Sequence, residues 1–246
     1  MLNKIVELGY SKIEAQELIK VSKNIDEDYK KLLNKYPIQY LIGYVNFYGY
    51  KINVNENVLI PRYETEYLVE KTIKYIKNIF NGNINILDLC TGSGSIAIAI
   101  SKELNINVDA SDISSKALEV AKINAKENNA NINYIESDLF NKIKGKYDVI
   151  ISNPPYISKN EKIMYSVDKY EPHEALYADE EGLFYYDKIL SKISNHLNKK
   201  YIIAFEIGYT QGESIKKMVE KYLNNPKVLI EKDLSNRDRY VFIFNR

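Results

Sequence analysis

Ile84-Asn85-Ile86-Leu87-Asp88-Leu89-Cys90-Thr91-Gly92-Ser93-Gly94-Ser95-Ile96-Ala97-Ile98-Ala99-Ile100 is the stretch on which the fold turns. Ile84–Leu89 is short, apolar and rich in isoleucine and leucine, which predicts a buried strand. Gly92 and Gly94 follow, suited to a tight turn in which the backbone can approach a ligand closely. Ser95–Leu104 then reads as a helix apolar enough to lie on a sheet. A strand that turns through glycines into a helix is the opening unit of a parallel α/β sheet.

The alternation continues to the C-terminus. Further strands are predicted at Ile106–Ala110, Ile132–Ile135, Tyr147–Ile151, Tyr201–Glu206, Lys227–Lys232 and Tyr240–Phe244. Helices are predicted at Ser115–Asn128, Leu183–Asn195 and Gln211–Leu223. Such an order implies a parallel sheet with helices on both faces. Ser158–Gly182 has weak periodicity and reads as a long functional loop.

Upstream, residues up to about Tyr36 read as helical. Leu8, Ile13, Ala15, Leu18, Ile19 and Val21 form an apolar stripe with Ser11 as N-cap, and Asp26 is placed to cap a second helix carrying Tyr29, Leu32 and Leu33. Between Pro37 and Pro61, Gly43, Gly49 and the alternation Tyr48, Tyr50, Ile52, Val54 predict a β-hairpin. Glu64–Phe80 has the pattern of an amphipathic helix. The expected division is a helical domain over 1–42, a hairpin linker over 43–60 and an α/β domain over 61–246.

Composition narrows the classes. The chain has 246 residues, enough for one α/β domain with a small appendage, and 45% hydrophobic content supports a sizeable core. Lys+Arg 34 against Asp+Glu 33 leaves a net charge of +1, with no global signature of nucleic-acid binding. A single cysteine, Cys90, excludes an intramolecular disulfide and a cysteine-rich zinc site. Two histidines and scattered acids predict no metal site. No apolar run is long enough to span a membrane, and the first residues lack a signal-peptide core, so a soluble cytoplasmic protein is expected.

Two strand-end regions carry chemistry. Asp109 and Asp112 end the second strand, and Asp112 lies 20 residues beyond Gly92, where a carboxylate can accept from both hydroxyls of a ribose. A dinucleotide would want a third glycine and would meet Asp88, which repels a pyrophosphate. A sulfonium cofactor has no phosphate, and its cationic methionyl end suits the Asp88 carboxylate. The second region is Asn153-Pro154-Pro155-Tyr156. It follows the strand Tyr147–Ile151, and the prolines end the ladder. The Asn153 side-chain carbonyl and the Pro154 carbonyl can accept two amide protons, and Tyr156 offers a flat face for a planar group. A plain Asx-Pro turn would use the same residues.

Taken in order, these segments resemble the class I methyltransferases, and among them the release factor N5-glutamine methyltransferases of the PrmC/HemK family. The matching segments are Leu59–Glu66, Asp88–Gly94, Asp112-Ile113-Ser114 with Ala117-Leu118, Asn153–Ile157, Glu171-Pro172 with Ala175-Leu176, Glu206-Ile207-Gly208 with Gln211-Gly212, and Asp233-Leu234 with Arg237. The resemblance covers about Pro37 to the C-terminus. It implies a seven-stranded sheet with the last strand antiparallel, behind an N-terminal helical domain. It implies S-adenosyl-L-methionine held by Asp88, Cys90, Thr91, Gly92, Ser93, Gly94, Asp112, Leu139 and Asn153, and a substrate glutamine held by Asn153, Pro154, Pro155 and Tyr156. Asn153, Pro154 and Tyr156 would be the catalytic set. The implied partners are peptide chain release factors 1 and 2, methylated at the glutamine of a Gly-Gly-Gln motif.

The chain departs from the family pattern in three places. Cys90 stands where glycine is usual, implying a position with no glycine-only conformation. Tyr63 stands where proline is usual, and the N-terminal region is shorter. Methylation of a ribosomal protein glutamine or of a base's exocyclic amine would use the same loop chemistry. An NAD-linked oxidoreductase and a noncatalytic nucleoside-binding adaptor are the readings from other classes. Arg62 and Glu66 suit either substrate contact or a loop-anchoring ion pair. Glu171 is placed to brace the Asn153 loop and Glu206 to end a strand near the pocket. His173 falls within the Glu171–Leu176 motif, His196 reads as a helix-end residue, and Lys142, Lys144 and Lys146 as a solvated basic turn.

Overall fold

The computed structural model describes residues 1–245. Four short helices come first: α1 (Leu2–Glu7), α2 (Lys12–Val21), α3 (Ile25–Leu33) and α4 (Ile38–Ile42). Ser11 caps α2 in a reciprocal box with Glu14, so two orphan donors at the helix start are satisfied. Asn24, not Asp26, caps α3: its side chain accepts from Glu27 N, leaving Asp26 inside the first turn. Half of the expected stripe faces outward. Ala15 and Leu18 are buried with Ile5, Leu32 and Ile38, whereas Ile13 is 78%, Ile19 40% and Val21 36% exposed.

The hairpin is β1 (Tyr44–Phe47) paired antiparallel with β2 (Tyr50–Asn53). Then come α5 (Tyr63–Ile79), β3 (Ile86–Leu89), α6 (Ser95–Leu104), β4 (Val108–Asp112), α7 (Ser115–Glu127), β5 (Ile132–Glu136) and β6 (Tyr147–Ser152). The segment read as an irregular loop carries short elements: β7 (Ile157–Ser158), α8 (Tyr165–Tyr170), β8 (Tyr177–Ala178) and α9 (Asp179–Gly182). None of these is long enough to show periodicity in the sequence. The chain closes with α10 (Phe184–Ile193), β9 (Leu197–Glu206), α11 (Gly212–Tyr222), β10 (Pro226–Lys232) and β11 (Asp238–Asn245).

Seven strands form one sheet in the order β10-β11-β9-β6-β3-β4-β5. Its parallel pairs are β9–β6, β6–β3, β3–β4 and β4–β5; β11, last in the chain, runs antiparallel to both neighbours. Alternate strand residues separate two cores. Ile86, Val149, Ile151, Ile202 and Ala204 meet α5 and α6 on one face. Leu87, Leu89, Ile150, Ile203 and Phe205 meet α10 and α11 on the other. From β3 the chain winds first through β4 to β5, then returns to β6 on the opposite side of β3. The strand order therefore reverses between β3 and β6, which is where open α/β sheets bind ligands.

Candidate active site

A cavity of about 290 Å³ opens at the carboxyl ends of β3, β4 and β6. Of the residues singled out in the sequence, Cys90, Thr91, Gly92, Ser93, Asp112, Leu139, Asn153 and Pro155 line it, and Asp88, Gly94, Pro154 and Tyr156 do not.

On the β3–β4 side, Asp112 is held open for a ligand. Its Oδ2 accepts from Gly92 N at 2.8 Å and its Oδ1 from Ser114 N at 2.9 Å. A carboxylate has about four acceptor sites, so two remain. Burial raises the Asp112 pKa, and the N–H groups of Ser114 and Gly92 draw it back. Gly92 takes φ +54, and a Cβ there would meet no protein atom within 4 Å. The bare backbone thus leaves open space beside a ribose-ready carboxylate. Asp109 corrects the expectation of a second strand-end acid. It sits within β4 and is bonded by Tyr147 Oη and Asn133 Nδ2.

Cys90 also departs from expectation. It adopts φ +63 without being glycine, a left-handed conformation that costs an L-residue roughly 1–2 kcal/mol. Burial pushes its thiol pKa up, so it is a packed neutral group. Leu139 takes φ +46 on the same wall. Gly94 is a packing residue: an added Cβ would lie 3.1 Å from Ala121 Cβ, where α6 meets α7.

Asp88, in β3, is fully buried against the first turn of α6. Thr91 Oγ1 and Ala97 N both donate to its Oδ2, at 2.5 and 3.1 Å, and this pulls the side chain away from the cavity. Its Oδ1 has no partner among the described residues. Burial raises the pKa from 3.8 to about 7, against the pull of Thr91 and Ala97. The folded state therefore holds the Asp88 proton more tightly than the unfolded chain does. The stability it contributes is full below pH 3.8 and is lost as pH rises to about 7, by at most about 1.4 kcal/mol per pH unit. Asp88→Asn should remove that slope. Denaturant unfolding of both proteins at pH 5 and pH 7 checks it, and an unchanged pH difference in the variant refutes it.

On the β6 side, Asn153 Nδ2 donates to Thr65 Oγ1 at 3.3 Å, and Thr65 Oγ1 donates to Glu206 Oε2 at 2.7 Å. No donor among the described residues reaches Asn153 Oδ1. Tyr156 turns away from the wall for identifiable reasons. Its hydroxyl donates to Glu206 Oε1 at 3.2 Å and accepts from Arg239, and its ring packs against the sheet core. Gln211 Nε2 holds the Tyr156 carbonyl at 2.9 Å. Pro154 is buried, leaving Asn153 and Pro155 on the wall.

Residues 68–169 match the methyltransferase small domain. The release factor glutamine methyltransferase of Lactococcus lactis is 40% identical over 98% of this chain and 89% of its own length. That of Streptococcus pneumoniae is 41% identical over 89% of this chain and 78% of its own. The chain belongs to the release factor glutamine methyltransferase family. A methyltransferase from Pyrococcus furiosus shares the fold at a TM-score of 0.57 and 22% identity, over 80% of this chain and 88% of that one.

Several residues that complete this release factor glutamine methyltransferase family site carried no local signal. Thr65 was visible only as part of a motif. Asn124, wholly buried in α7, donates to Ser93 O and Asn53 O and accepts from Asn53 N, tying the hairpin to the glycine loop. Glu171 braces a different segment from the one expected. It accepts from Ile60 N at 3.1 Å and pairs with Arg62 at 2.5 Å, so both fasten the irregular segment entering α5. His173 bonds to Asp168 O and is exposed, off the cavity wall. His196 closes the short helical turn after α10 and stacks on Phe140 at 4.4 Å. Lys142, Lys144 and Lys146 are exposed. No helix among the described residues is long and apolar enough to cross a membrane.

Proposed function

We propose that this protein transfers a methyl group from S-adenosyl-L-methionine to the side-chain amide nitrogen of a glutamine in peptide chain release factors 1 and 2, at their Gly-Gly-Gln motif. The observation that carries the reading is an acceptor amide, Asn153, on the wall of a cavity that also holds Asp112 and the bare Gly92 backbone. The cofactor, when bound, supplies an electrophilic methyl on a cationic sulfur. Asp112 would hold its ribose, with Cys90, Thr91, Gly92, Ser93 and Leu139 as the surrounding wall.

The substrate nitrogen is a weak nucleophile because its lone pair is delocalised into the carbonyl. Asn153 Oδ1 accepts one of its protons, which raises electron density on nitrogen and opposes the positive charge that develops there. Holding that group in line with the donor supplies roughly 7–11 kcal/mol of the barrier. An amide is too weak an acid for prior deprotonation, so no general base is assigned; the proton leaves to water after transfer. Pro155 completes the wall beside Asn153, and Tyr156 fixes the loop. Residues 1–42 would dock the protein substrate, 43–60 would link, and 61–246 would carry the chemistry, in the cytoplasm and with no nucleic acid required.

The test is incubation with methyl-labelled cofactor and, in parallel, release factors, ribosomal protein and RNA. Label should enter the release factors. Label in RNA or ribosomal protein alone overturns the substrate assignment, and label in none favours a binding protein over an enzyme.

A further inference from the structure

We propose that Thr65 is a positioning residue that, anchored by Glu206, sets which face of the Asn153 amide meets the substrate; this rests on the glutamine-amide reading above. Asn153 could in principle turn either its carbonyl or its NH2 into the cavity, and only the carbonyl can accept from a substrate amide. Thr65 settles the choice because a hydroxyl has a single proton. That proton goes to Glu206 Oε2, which accepts it at 2.7 Å. Thr65 Oγ1 is then limited to accepting, and it accepts from Asn153 Nδ2 at 3.3 Å. With the NH2 so committed, Oδ1 is the side of the amide left for the ligand.

The anchor is built to stay in place. Glu206 is 2% exposed and Thr65 4% exposed. The second Glu206 oxygen accepts from Tyr156 Oη, and the Glu206 backbone carbonyl accepts from Tyr186 Oη at 2.6 Å. Burial raises the Glu206 pKa, and the Thr65 hydroxyl, the nearby Arg239 charge and the Tyr156 hydroxyl draw it back; Arg239 itself donates to Ile207 O and reaches Tyr156 Oη. Three distant parts of the chain converge here: the first turn of α5, the loop after β6 and the end of β9. Were the Asn153 amide reversed, the cavity would present a donor and would suit a carboxylate or carbonyl oxygen instead of an amide N–H. The relay therefore makes the pocket selective for an N–H donor.

A double-mutant cycle separates this role from simple packing. Thr65→Val keeps the branched shape but can neither accept from Asn153 nor donate to Glu206. It should lower kcat on the release factor on the order of 10-fold, with cofactor affinity by calorimetry unchanged. Thr65→Ser keeps the hydroxyl and should hold kcat near that of the parent; it also guards against misfolding of the valine variant. In an Asn153→Ala background, Thr65→Val should cause no further loss, because the group it orients is gone. Additive losses, a serine variant as impaired as valine, or a valine variant with full kcat would each overturn the assignment. If the parent protein labels a different acceptor, the substrate reading fails separately, and the same cycle is run on that acceptor.

Discussion

Asn153→Ala should reduce turnover by on the order of 10²-fold with cofactor saturating, the loss seen when one preorganised polar partner is removed from a developing charge. A hundredfold corresponds to about 2.7 kcal/mol of barrier, more than a hydrogen bond exposed to water supplies. The excess arises because Oδ1 is fixed before the substrate arrives: Thr65 and Glu206 already hold the NH2 side. Water in the emptied space would reorient at each turnover. Single-turnover methylation separates the chemical step from product release. An undiminished single-turnover rate in the variant would remove Asn153 from the reaction.

Gly182→Ala is the second large effect. Gly182 takes φ +86, and a Cβ there would lie 2.0 Å from Tyr156 O, 2.5 Å from Gln211 Nε2 and 2.9 Å from Tyr156 C. Two of those atoms are backbone of the Asn153–Tyr156 loop, which cannot swing aside as a side-chain tip can. Overpacking against backbone together with a left-handed alanine should destabilise by about 3 kcal/mol or more. For a chain of this size that is a fall of roughly 6–12 °C in Tm. Glu180 and Glu181, both at φ +55, already hold this turn in a left-handed path, so α9 has little freedom to yield. Turnover should fall more than cofactor affinity, because the displaced atoms belong to the substrate loop. Gly82→Ala is the control: φ is +97 but nothing lies within 4 Å, so it tests backbone conformation without the clash. Equal Tm changes in the two variants would refute the clash.

Much of this was legible in the sequence for local reasons. The sheet strands were visible because buried parallel strands are continuous apolar runs. Asp112 was legible because one β-α-β unit fixes its distance from Gly92, and the Ser11 cap because Glu14 stands three residues on. What was not legible depends on the folded topology. Thr65 and Asn153 are 88 residues apart, and Thr65 and Glu206 are 141 apart. Asn124 reads as one more polar residue on a helix until the hairpin packs against it. Cys90 and Leu139 carry no composition sign of a left-handed backbone, as a glycine would. The direction of the Tyr156 ring is hidden for a related reason. A tyrosine after two prolines offers a ring to any neighbour, and only the positions of Glu206 and Arg239 show which way it turns.

Tandem mass spectrometry of a release factor after incubation with this protein and S-adenosyl-L-methionine bears most directly on the claim that the cavity methylates an amide nitrogen. A single added methyl should map to the side-chain nitrogen of the glutamine in Gly-Gly-Gln and vanish with Asn153→Ala. A methyl on any other residue, or one that persists undiminished in that variant, would contradict it.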